Sequence, residues 1–421
     1  DLFNYADTRE VGGSHQAYFD AVDGHMPCNL AALAGHCTAR ASVAGNKSEA
    51  LNPQEMNALP LQMEQSLQQG ACGISLGLMY EPGLYAPMEE LRALAELCAK
   101  YDRPLTVHPR ACSKVSLAYP QLLGRPHILR AMDELREITK GLPVKLQYSH
   151  AIFVGRSTFP YKDELLSILA DMSREGVDVG FDIYNETLGT SVITVIMPAW
   201  YQAMTPEQRR KPMNKLRFTL MVRASIPLLG FSFKDILIAW AGEGNEQYEN
   251  KTVHQVAREM GMSDVDAYLH LCEISDFKGR VNMGPYSTRE IITSLSKEEH
   301  VLFMTDAWRE EKGVQNPALY DCFPKFLQDA LLNRGDTLPR TIRKMSGATA
   351  DRFGLQNRGY VKPGCYADLT LFDEQAVMDG IPDVGQPFGI KQVYINGRLV
   401  LRDEQLDEQA LKTSGQAMRV K

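Results

Sequence analysis

Leu105-Thr106-Val107-His108-Pro109-Arg110 is a short apolar run that ends in an imidazole and is stopped by proline. Lys145-Leu146-Gln147-Tyr148-Ser149-His150 repeats the pattern, and Val301-Leu302-Phe303-Met304-Thr305-Asp306 ends the same way in a carboxylate. Short apolar runs of this kind, bounded by polar residues, read as strands buried on both faces, as in a parallel sheet covered by helices. Three strands that each deliver a polar group at the C-terminal end point to a (β/α) barrel, whose sites lie at that end.

Outward from these strands the alternation continues. Cys28–His36 is an apolar run closing in Gly35-His36, and Gly70–Leu78 is a glycine-rich strand. A helix between them has Asn52 as N-cap, Pro53 in its first turn and Glu55 three residues after the cap, with Met56, Leu59, Met63 and Leu67 on one face. Pro60 is expected to kink it. Further helices are expected at 89–101, 127–140, 163–175, 252–261, 324–333 and 338–351. Strands are expected at about 30–35, 72–77, 105–108, 145–149, 177–183 and 301–305. A closed barrel needs eight strands, so the count is two short. The missing pair is expected before Asp1, a start that reads as the middle of a protein.

The expected fold is α/β, a (β/α)8 TIM-type barrel with six of its eight strands visible, over residues 1–354. The irregular stretch 185–298 is expected to lie over one end as an insertion or lid. Residues 355–421 change character: Tyr366–Asp373 and Ile390–Ile395 alternate apolar and polar residues, and Asn396-Gly397 joins the latter to Arg398–Leu401 as a type I′ hairpin. They form the C-terminal part of a small antiparallel β domain that needs other strands to complete it.

The composition is that of a globular protein, with 44% apolar and 23% charged residues. A net charge of −7 argues against a nucleic-acid surface. No apolar run is long enough to span a membrane and no signal-peptide pattern opens the chain. Eight cysteines are scattered without a CxxC pair, which fits reduced thiols in the cytoplasm. The expected partner is a small molecule, with no nucleic acid and no membrane, and a homo-oligomer is compatible.

Imidazole nitrogen is a good zinc ligand, and His108 and His150 on neighbouring strands can converge on one ion. Asp306 can accept a proton from an attacking water and pass it to a leaving amine, and a metal brings the pKa of such a water to about 7. A single strand-end histidine is ordinarily a packing residue. Two at matching ends, with an aspartate to match, favour a metal hydrolase. His36 before a turn, and Cys37, Cys72 and Cys112 near the same face, read as packing residues.

Several motifs resemble the D-aminoacylase group, the N-acyl-D-amino-acid deacylases of the amidohydrolase superfamily. Gly35-His36-Cys37-Thr38-Ala39-Arg40 is similar to the family's GHxTxR segment. Gly73–Ala86 with Glu89-Glu90-Leu91 resembles its GxSxGLxYxPGxYAxxxEL run. His108-Pro109-Arg110 stands where the family has HMR, Ser149-His150 where it has SHxK, Asp182-Ile183-Tyr184 where it has DxYPY, and Thr305-Asp306 where it has SD. Ala348–Leu355 and Arg358–Leu369 match segments that close many amidohydrolases.

The resemblance implies one or two zinc ions held by His108 and His150, and Asp306 as general acid/base. It implies further ligands, an HxH pair and the cysteine of a GNCG turn, in an N-terminal part absent from this chain. Tyr184 is a candidate substrate-binding residue. Two departures concern the substrate: the family's lysine is Ile152, and the arginine of its HPR segment, which helps hold the substrate carboxylate, is Ala318. Arg110, Arg156 and Arg309 are the candidate replacements.

The leading reading is a zinc-dependent amidohydrolase that cleaves the acyl–nitrogen bond of an N-acyl-D-amino acid or related N-acyl compound. A cyclic-amide hydrolase of the hydantoinase or dihydroorotase kind is the alternative enzyme. It is disfavoured because those use a carboxylated lysine at a strand end. A non-catalytic amidohydrolase-like binding protein is the alternative of another class.

Overall fold

The computed structural model describes residues 13–421 apart from 117, 120–123 and 381–386. The chain's opening residues, 1–12, lie outside that description.

Six parallel strands form the central sheet: β1 (Ala34–Gly35), β2 (Ile74–Gly77), β3 (Pro104–His108), β4 (Lys145–Tyr148), β5 (Asp178–Ile183) and, after a long excursion, β9 (Val301–Phe303). They pair in that order, so sequence neighbours are spatial neighbours up to β5. Each of the six falls where an apolar run was expected. Helices Pro53–Gln68, Met88–Lys100, His127–Thr139 and Lys162–Arg174 follow successive strands and pack on one another. Their inward residues are the ones the periodicity picks out: Leu91, Leu94, Ala95 and Cys98 on one, Ile128, Leu129, Met132, Leu135 and Ile138 on the next, all buried.

The first of these helices carries the expected capping box at Asn52 and Glu55. It runs as one helix with Pro60 inside it. The last predicted helix is two helices, Leu338–Met345 and Gly347–Arg352, separated at Ser346 (φ −133°, ψ −85°). Arg352 fastens the second of them to the sheet, with Nη1 2.7 Å from Asp178 and Nε donating to Gln147 at 3.2 Å.

Between β5 and β9 the chain builds a second, antiparallel sheet from β6 (Gly189–Val192), β7 (Ile236–Trp240) and β8 (Arg280–Met283), in the order β6-β8-β7. That stretch is more regular than its sequence suggests. It meets the loop after His150: Phe153 N donates to Tyr286 O at 2.7 Å and Gly155 N to Pro285 O at 3.0 Å.

A third sheet is formed by β10 (Leu369–Phe372), β11 (Ile390–Ile395), β12 (Arg398–Arg402) and β13 (Gln405–Leu406). Its β11–β12 connection has φ +50° at Asn396 and +80° at Gly397, as a type I′ turn requires. No helix among the described residues is long and apolar enough to cross a membrane.

Candidate metal centre

His108 is the last residue of β3, and its register is fixed on both sides: Leu78 N donates to its carbonyl at 3.0 Å, and Ser149 N donates to Val107 O at 3.0 Å. His150 follows β4 by two residues and takes a left-handed backbone, φ +37°. This conformation is held by Asp182, in β5. Its Oδ1 accepts the His150 backbone N–H at 2.6 Å and its Oδ2 accepts Gln147 Nε2 at 2.8 Å. Burial pushes the Asp182 carboxyl up, against the pull of those two donors and of His150. Asp182 is a positioning residue that the local sequence pattern does not single out, because its partners lie one strand away.

The two imidazoles face each other, with His108 Nδ1 2.6 Å from His150 Nε2 and ring centroids 4.4 Å apart. On its other side, His108 Nε2 lies 3.3 Å from Met79 Sδ, and the Tyr80 ring centroid is 4.8 Å away. Burial, with His150 beside it, holds His108 well below the usual histidine range. A neutral imidazole is the form that binds metal. His150 Nδ1 is buried and has no hydrogen-bond partner among the described residues.

Asp306 follows β9 by three residues, also with a left-handed backbone at φ +48°. After burial itself, its negative charge is what raises Tyr184, and it contributes to the raised pKa values of Tyr80 and Tyr286 as well. Cys112 is pushed up to about 12 by burial and then by Asp306, so it is an inert thiol here. Tyr184, the residue after β5, is 3% exposed, and its hydroxyl has no partner among the described residues. A buried hydroxyl left unpaired is costly in a finished core and expected where a ligand supplies the partner.

The other candidates separate cleanly. Arg110 is buried against Glu134, with Nε 3.0 Å from one carboxylate oxygen and Nη2 2.9 Å from the same carboxylate. Nη1 donates to Leu84 O and Nη2 to Ala86 O. All three nitrogens are engaged, which corrects its assignment as a substrate-binding residue. Arg156 is likewise paired to Asp235 at 2.8 Å. Arg309 is exposed on the loop after Asp306 and, among the described residues, forms no ion pair. Ile152 and Ala318 are both buried and apolar. His36 is fully buried with Nε2 2.7 Å from Glu90, which also accepts Arg40 Nε at 3.0 Å, so it is a packing histidine as expected.

The donor chemistry fits zinc in part. His108 Nδ1 and His150 Nε2 converge from adjacent strands, and tetrahedral zinc takes four donors. Among the described residues no group of three or more His, Cys, Asp or Glu side chains is placed to hold a metal.

His108, His150 and Asp306 thus stand at or just beyond the C-terminal ends of β3, β4 and β9, three strands of one parallel sheet. The chain is similar to proteins of the D-aminoacylase group. It is 26% identical to the D-aminoacylase of Alcaligenes xylosoxydans xylosoxydans, over 94% of this chain and 73% of that protein. It is 24% identical to the N-acyl-D-glutamate deacylase of the same organism, over 90% of this chain and 68% of that one. Its fold is similar to that of the N-acyl-D-glutamate deacylase from Bordetella bronchiseptica, crystallised with zinc and a phosphonate that mimics the tetrahedral intermediate. The TM-score is 0.75 at 23% identity, over 97% of this chain and 75% of that one. No family model matches the chain.

Proposed function

We propose that the protein is a zinc-dependent deacylase that hydrolyses the acyl–nitrogen bond of N-acyl-D-amino acids. The observation that carries this reading is the meeting of His108 and His150 from the ends of adjacent strands β3 and β4, with ring centroids 4.4 Å apart. His108 and His150 would hold the metal. When bound, zinc supplies Lewis acidity at the acyl carbonyl and makes water a nucleophile near neutral pH. Asp306 Oδ takes the proton of the attacking water and returns it to the leaving nitrogen, which departs as the free amine. Tyr184 Oη donates to the substrate. Asp182 keeps the His150 backbone in the turn that aims the ring.

The substrate carboxylate calls for a cation, and a guanidinium is the usual bidentate partner. With Arg110 and Arg156 paired elsewhere, Arg309 fills that role from the loop three residues beyond Asp306. The eight free cysteines fit a reducing, cytoplasmic setting.

Hydrolysis of a panel of N-acetyl-D-amino acids, their L-isomers and the matching neutral amides by the zinc-loaded protein tests this reading. Turnover of the D-acids is expected. Turnover of the neutral amides alone would remove the carboxylate from the account, and no turnover of any member would overturn the assignment.

A further inference from the structure

Helix Pro212–Leu229, between β6 and β7, buries Phe218, Val222 and Ile226 on one face. Its opposite face is also apolar. Met213, Leu216, Leu220 and Leu228 are 72, 51, 60 and 51% exposed, and Ala224 between them is exposed too. The five are spaced 3, 4, 4 and 4 residues apart, so they form one continuous stripe about 22 Å long. Scattered exposed leucines are ordinary on a protein surface. A stripe of this length along a single helix marks an interaction site.

The charge around the stripe says what kind of partner fits. Residues 208–234 carry seven lysines and arginines and no aspartate or glutamate, in a chain whose net charge is −7. Arg217 is stacked over Trp200 and Lys215 pairs with Asp266. Arg210, Lys211 and Arg223 form no salt bridge among the described residues, and Arg217 and Arg223 fall on the two borders of the stripe. A second copy docking through the same face would bring two strongly basic helices together, which their charge opposes. Exposed apolar side chains bordered by lysine and arginine suit a peripheral contact with anionic lipid, whose surface attracts basic segments.

We infer that helix Pro212–Leu229 docks the protein on an anionic lipid surface, with Met213, Leu216, Leu220 and Leu228 entering the acyl boundary and Arg210, Lys211 and Arg223 meeting the headgroups. The expectation of no membrane contact rested on the lack of a spanning segment, which peripheral docking does not need. The inference stands apart from the deacylase reading and does not depend on it.

Co-sedimentation with phosphatidylcholine vesicles containing about 30% phosphatidylglycerol, against vesicles of phosphatidylcholine alone, is the direct test. Binding to the anionic vesicles, at least about tenfold weaker on the neutral ones and weakened by salt, is expected. The double variant Leu216→Gln/Leu220→Gln should lose it, and so should Arg210→Gln/Lys211→Gln/Arg223→Gln, with melting temperatures close to wild type because these side chains are exposed. Equal recovery with both vesicle types, no binding at low salt, or undiminished binding by the leucine variant would overturn the inference. A concentration-dependent dimer that the leucine variant dissolves, with no vesicle binding, would assign the stripe to self-association instead.

Discussion

His108 Nδ1 and His150 Nε2 approach to 2.6 Å across adjacent strands, although 42 residues separate them in the chain. Two parallel strands in register, Val107 opposite Tyr148, bring them together. Because the meeting point is set by backbone pairing, replacing one ring leaves the other in place. His150→Asn should therefore keep the fold, since asparagine tolerates the left-handed backbone there. It should lower zinc affinity about 100-fold or more in a chelator competition. Unchanged affinity would remove the pair from the metal site.

Tyr184→Phe separates a structural from a functional role. The hydroxyl is buried and unpaired among the described residues, so deleting it should leave the melting temperature unchanged or raise stability by about 1 kcal/mol. The same change should raise KM for an N-acyl-D-amino acid about tenfold, the loss of one hydrogen bond of roughly 1.4 kcal/mol. A drop in stability with unaltered kinetics would make the tyrosine a core residue.

Glu90 holds His36 and Arg40 in a fully buried cluster. Glu90→Gln leaves Arg40 without its counter-charge and should cost about 3–5 kcal/mol in denaturant unfolding. The cluster also sets a pH dependence. Burial works against a charged His36, but its bonds to Cys37 and Glu90 outweigh burial and raise its pKa above 6.5. The folded state thus holds this proton more tightly than the unfolded chain does. The stabilisation is complete below pH 6.5 and is lost as pH rises through the raised value. His36→Asn should flatten that part of the stability–pH curve.

Gly155 has φ +84°, and a Cβ there would lie 1.9 Å from the Leu229 carbonyl oxygen. Gly155→Ala should destabilise the loop after His150 by about 2 kcal/mol or more, through both the strained backbone and the clash. A melting temperature equal to wild type would show that this loop and the end of helix Pro212–Leu229 part easily.

The central sheet was legible because parallel strands buried on both faces leave continuous apolar runs, and the meeting of His108 and His150 was legible because both lie at the ends of neighbouring strands. The antiparallel sheet of β6, β7 and β8 was not. Its strands are four or five residues long and carry Thr190 and Asn282, which bond each other at 2.7 Å across the sheet in place of an apolar pair. Arg110 was misassigned for a related reason. Its partner Glu134 sits on a helix 24 residues away, and pairing at that distance leaves no local signal. The buried triad had one visible trace: Glu90 occupies the inward face of its helix beside Leu91 and Leu94, where an unpaired carboxylate would not be tolerated. Helix Ala318–Leu331 begins six residues before its expected start, because Asn316 accepts the Ala318 N–H at 3.0 Å and opens the helix ahead of Pro324.

Asp306→Asn, assayed for hydrolysis of an N-acetyl-D-amino acid beside a zinc determination on the same sample, tests the central claim most directly. Asparagine accepts the φ of +48° at this position and cannot carry the proton. The account predicts retained zinc and a kcat lowered by about 10²–10⁴-fold. Full activity with zinc retained would contradict it.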